Sequence, residues 1–175
     1  MTESEQPPIP LALAHLPVVG GLVVPWITPR TPDSRYLLGT VDVDRMNACL
    51  QRRRCGVCGR DLVDRTVLLL RLSDLPRACT NEPGLHPVCA AYTIKACPMV
   101  GGRMTQYRRS PRLLGPEHST GPDAQQRLGA PREPWFSVWV GSYDLIEADG
   151  NLAASYAKLG ALRVRPINWL LPGLM

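Results

Sequence analysis

The sequence predicts an α+β fold, on three observations. Its 175 residues are 45% hydrophobic and 20% charged, enough apolar material for one domain with a core. Short β-branched and aromatic runs at 66–72 (TVLLLRL) and 135–140 (WFSVWV) read as strands. Two helical patterns stand beside them, at 43–53 (VDRMNACLQRR) and 87–97. The 18 prolines and 15 glycines add long irregular loops, and aromatic residues are sparse at 6%.

Residues 1–44 read as an extended, proline-punctuated arm. The most apolar stretch, 9–27, is about long enough to span a bilayer. It contains Pro10, Pro17, Pro25, the pair Gly20–Gly21 and His15, breaks that a spanning helix would not tolerate. It does not read as a signal peptide either, because Glu3 and Glu5 precede it and no Lys or Arg occurs before Arg30. The expectation is a cytoplasmic chain without a membrane partner, its arm buried as a strand over 21–28. A reducing compartment then favours metal binding over disulfides for closely spaced cysteines.

Residues 45–107 hold all six cysteines and form the expected metal-binding domain. Residues 108–134 carry five prolines and three glycines, the composition of a linker without fixed structure. The segment 135–175 is expected to pack on the core through strands at 135–140 and 143–146. An Asp149–Gly150 turn follows, then a short helix over 152–159 ended by Gly160, and a last strand over 162–165 before Pro166. Trp135 and Trp139 fall on one strand face and read as core.

The chemistry lies in two pairs of residues. Cys55 and Cys58 stand three apart in RCGVCGRDL, each followed by glycine. A tetrahedral zinc ion needs two thiolates about 2.3 Å from one centre, and a tight turn through such a spacing delivers them. His86 and Cys89 repeat the spacing in LHPVCAAYTIKACP, where Pro87 opens a helix and Pro98 stops it. That places His86 at the helix N-terminus and Cys89 in its first turn, where the helix dipole favours thiolate. Knuckle, short hairpin and ligand-bearing helix together make a treble-clef zinc finger. The 27 residues between Cys58 and His86 are a long spacer, and the alternative ligand set puts Cys79 in place of His86 or Cys89. Cys49 and Cys97 read as core thiols. Four protein ligands close the coordination sphere, which marks a structural site, since catalytic zinc keeps a position open.

Net charge separates the function classes. The stretch 45–112 carries 13 Lys or Arg against 4 Asp or Glu, so the basic character of the chain belongs to the cysteine segment. Arg52, Arg53, Arg54, Arg60, Arg108 and Arg109 are the candidate nucleic-acid contacts. No nucleophile elbow, phosphate loop, dinucleotide fingerprint or deaminase signature is present. A nuclease of treble-clef type would need a histidine beside the metal in the hairpin, and 63–72 has none. A structural zinc protein serving protein interaction or regulation is the leading expectation, ahead of nucleic-acid binding and, last, of a metal-dependent enzyme. The protein partner is not specified by the sequence.

VPWIT at 24–28, RCGVCGRDL at 54–62 and EPGLHPVCAAYTIKACP at 82–98 resemble a group of small uncharacterised zinc-binding proteins of actinobacteria and actinophages. The resemblance covers about residues 20–100. It implies Cys55, Cys58, His86 and Cys89 as ligands and brings no established activity. Some members carry a cell-envelope biogenesis label, which no export signal in this sequence supports. The first half of a LIM domain is also similar, although this chain has a longer spacer and lacks the second site that follows directly in LIM.

Overall fold

The structure is a computed structural model that describes residues 6–109 and 125–168. Helix and strand are mixed, as the sequence predicts. Helix α1 (Val43–Arg52) begins at Asp42, whose carboxylate accepts from the Arg45 N–H at 3.1 Å. Its buried residues Met46, Cys49 and Leu50 recur at three and four positions, giving one apolar face. It ends where Arg53 adopts a left-handed conformation, φ +50°.

Strand β3 (Thr66–Arg71) is buried along its whole length. It pairs antiparallel with β5 (Trp135–Val140), from Thr66 opposite Val140 to Arg71 opposite Trp135, and β8 (Arg163–Ile167) closes the other side of β5. A second three-stranded sheet has the order β4 (Cys79–Thr80), β7 (Asn151–Ser155), β6 (Asp144–Ala148). Because side chains alternate along a strand, the two faces of β3 serve two cores. Val67 and Leu69 pack with Cys55, Cys89, Tyr92 and Trp135, whereas Leu68 and Leu70 pack with Met46, Leu50, Val138, Val140 and Tyr143.

The expected strand over 21–28 is much shorter. Strands β1 (Val18–Val19) and β2 (Leu22–Val23) form a tight hairpin around Gly20 and Gly21, both at positive φ, and Pro25 cannot donate to a ladder. The expected helix over 152–159 is β7 and a turn. Asp149 and Gly150 both have positive φ, the geometry of a hairpin turn, which sends the chain back as a strand. Ala153 and Ala154 are buried there, so tertiary packing overrides the helix preference of alanine. The last strand includes Pro166, tolerated because β8 lies at a sheet edge. Most of the predicted linker, 110–124, lies outside the described residues, but its ends run side by side: Tyr107 donates to the Ala130 carbonyl and Gly129 to that of Arg108, both at 2.9 Å.

The long spacer before His86 is pinned by a buried arginine. Arg71, 3% exposed, pairs with Asp74 at 3.3 Å and Glu82 at 3.0 Å and lies over the Trp135 ring at 5.0 Å. Thr80 Oγ1 adds a hydrogen bond to the Leu69 carbonyl at 3.0 Å. A buried charge needs such partners to offset its desolvation, and here they fix the path of 72–82.

Candidate metal centre

Two short pieces of chain deliver the donor atoms, and a backbone bridge lies between them. In the first, residues 55–60 fold into a knuckle in which Gly59 N–H donates to the Cys55 carbonyl and Cys55 N–H to that of Arg60, both at 2.8 Å. Gly59 has φ +71°, and a Cβ there would stand 2.7 Å from Cδ1 of Trp26. Glycine is required at this position on both counts. Between the two pieces, Val67 and Leu85 exchange backbone hydrogen bonds at 2.9 Å each, a single bridge where a short hairpin is expected, because β3 pairs along its length with β5 instead. The second is helix α2 (Pro87–Ala96), with His86 at its N-cap, Pro87 at its first position and Cys97 at its C-cap ahead of Pro98. A proline at the first helical position loses no hydrogen bond, because that N–H has no partner within the helix.

These pieces bring Cys55, Cys58, His86 and Cys89 together, with one donor atom from each all within 4.8 Å of one another. The cluster could hold a metal ion. Cys79, the alternative ligand, is instead buried in β4 opposite Ser155 of β7 and is not part of the cluster. His86 Nδ1 lies 3.4 Å from Cys58 Sγ, and Nε2 lies 3.1 Å from the Asp61 carbonyl oxygen, to which it donates when Nδ1 faces the sulfurs as a lone pair. A backbone partner that fixes the second ring nitrogen in this way is the usual support of a metal-bound histidine.

Crowding three thiols shifts their protons in opposite directions. The hydrogen bond from Cys89 holds Cys55 down at about 5 against burial, with further help from the N–H groups of Cys58, His86 and Val57. The same bond, followed by burial, pushes Cys89 up, and burial raises Cys58. A site that concentrates thiolate character and backbone N–H donors on one spot suits a soft cation. Behind it, Cys49 is fully buried, its thiol 3.9 Å from the Cys55 carbonyl, and burial pushes it up to about 12.

Sequence reasoning did not find the surroundings of the cluster. Trp26 and Ile27 donate to the Val57 and Gly56 carbonyls at 2.8 and 3.3 Å, so the arm straps the knuckle. Arg45 then holds the arm, donating to the Trp26 carbonyl at 3.0 Å and lying over its ring. The glycine after Cys58 was the one available signal for the close approach of Trp26.

Of the candidate nucleic-acid arginines, Arg53, Arg54 and Arg60 make contacts within the chain. Arg53 donates to Ser142 Oγ at 2.6 Å and the Tyr143 carbonyl at 3.0 Å, tying the end of α1 to the β5–β6 turn. Arg54 pairs with Asp61 at 3.0 Å, and Arg60 lies 3.5 Å from His15. Arg52 is exposed at the end of α1, and Arg108 and Arg109 are exposed beside the linker ends. Among the described residues, no helix is long and apolar enough to cross a membrane. The chain matches no protein-family model, no curated protein and no solved structure.

Proposed function

We propose that this is a structural zinc-binding protein of treble-clef type whose role is protein interaction or regulation in the cytoplasm. The observation that carries the reading is the convergence of three thiols and one imidazole from a knuckle and a helix N-terminus. Cys55, Cys58 and Cys89 through Sγ and His86 through Nδ1 would hold the ion. Thiolate and imidazole donors select zinc over hard cations, and four protein ligands leave no position for a reacting water. Zinc would cross-link 55–60 to α2, two segments that meet through few backbone hydrogen bonds. The motif resemblance to small actinobacterial and actinophage zinc proteins belongs to the same reading.

Arg53, Arg54 and Arg60 each contact another part of the chain, which supports a protein partner ahead of nucleic acid. Metal analysis of the purified full chain tests the zinc assignment, with Cys58→Ser as control. The expected result is one zinc per wild-type chain and loss of it in the variant; a wild-type content well below one overturns the proposal. A gel shift that weakens steeply with salt would transfer the role to nucleic acid.

A further inference from the structure

The four donors of the cluster are not equally sealed. Cys55 and Cys89 are completely buried, whereas Cys58 is half-buried and stands beside the half-buried His86, 3.4 Å from its Nδ1. Val88, between His86 and Cys89 in the chain, is itself 39% exposed. Solvent therefore reaches the cluster from the Cys58–His86 side.

Resting on the zinc reading, we propose that Cys58 is a peroxide-reactive thiol whose oxidation opens the cluster and releases its metal. A thiolate attacks peroxide where it is both nucleophilic and accessible, and Cys58 is the one of the three cluster cysteines that is not buried. Its sulfur attacks one oxygen of hydrogen peroxide, the S–O bond forms as the O–O bond breaks, and hydroxide leaves. Cys58 is then a sulfenic acid. A second cluster thiolate, Cys55 or Cys89, lies within 4.8 Å and attacks the Cys58 sulfur. The S–S bond forms, the S–O bond breaks, and a second hydroxide leaves. Two thiolates are oxidised and one peroxide is reduced, and an ion held by the cluster would keep two of its four donors.

The remaining cysteines do not reproduce this arrangement. Cys49 and Cys79 are buried, and Cys97 is half-buried but outside the cluster. Oxidation at Cys97 would therefore leave the metal in place. The proposal separates this residue from Cys58 although both are partly exposed.

The test uses the full chain loaded with zinc and treated with hydrogen peroxide. A chromogenic chelator reads the zinc released, intact mass reads the oxidation, and peptide mapping after alkylation locates it. The expected result is loss of one zinc per chain in step with loss of two hydrogens, Cys58 in the disulfide-linked peptide, and an unchanged release rate in Cys97→Ser. First oxidation at Cys97 with zinc retained overturns the proposal, as does zinc that stays bound while the cluster thiols remain unmodified. A chain that holds no zinc before treatment overturns both this inference and the zinc reading, whereas zinc present and unmoved by peroxide overturns this inference alone.

Discussion

The two faces of β3 pack into different cores, and only one of them contains the candidate metal ligands. Toward α1, Leu68 and Leu70 are fully buried among Val138, Val140, Tyr143 and Leu50, an ordinary apolar core in which burial does the stabilising. Toward α2, Val67 and Leu69 pack in a second apolar core that includes Tyr92 and Trp135 and also takes in Cys55 and Cys89 of the four-residue cluster. One strand thus separates a region held by burial alone from one in which, on the zinc reading, metal ligands would add to burial. An apolar core tolerates gradual loss, whereas a ligand set fails when a single member is removed.

On the zinc reading, metal removal breaks the comparison most directly. Chelation, or Cys89→Ala, is expected to cost on the order of 10 kcal/mol on the α2 side. Hydrogen exchange should show the knuckle and α2 losing protection first, while β3, β5 and α1 exchange later; simultaneous loss on both faces would mean that they are not separable. Zinc uptake should also weaken as pH falls. Cys58 and Cys89, both pushed up, must release protons to bind, so protons compete with the ion.

Leu68→Ala probes the opposite face. Removing a fully buried leucine should cost about 2–5 kcal/mol in urea unfolding, with zinc content unchanged. A loss of zinc would show the cores to be coupled through β3.

Gly59→Ala touches the boundary between the knuckle and its strap. The positive φ and the approach of Trp26 predict a loss of about 1–3 kcal/mol together with weaker zinc retention, read by competition with a chelator. The smallest effect is expected from Tyr143→Phe, which deletes the hydrogen bond to the Leu50 carbonyl at 3.1 Å and should cost about 0.5–1.5 kcal/mol. It has a pH signature. Burial pushes Tyr143 from 10.0 up to about 12, so between those values the folded state keeps a proton that the unfolded state has released. Its contribution is fully present below 10.0 and is lost as pH rises through about 12, and the phenylalanine variant should lose less stability across that window.

The contrast between the faces also governs what could be read from residues alone. The α2 side was legible because its determinants are local: two spaced pairs, Pro87 and Pro98 around the helix, and a glycine after each knuckle cysteine. The 135–140 strand was legible from its β-branched and aromatic run. Segment 152–159 was misread because alanine-rich sequence favours helix in isolation, and only the burial of Ala153 and Ala154 between β4 and β6 makes it a strand. The arginines are a related case. A basic run shows charge, but not that Arg53 will bridge to Ser142 and Tyr143 some ninety positions away.

By itself, the sequence determined the mixed α+β class, the start and stop of α2, and the four residues placed to share an ion. Spacing, proline and glycine fix those features within a few residues of backbone. Only the tertiary structure decided that β3 pairs with β5, that Trp26 straps the knuckle, and that Cys58 faces the open edge while Cys55 and Cys89 are sealed. Those outcomes depend on which distant surfaces bury each other, a property of the folded chain that no local pattern encodes.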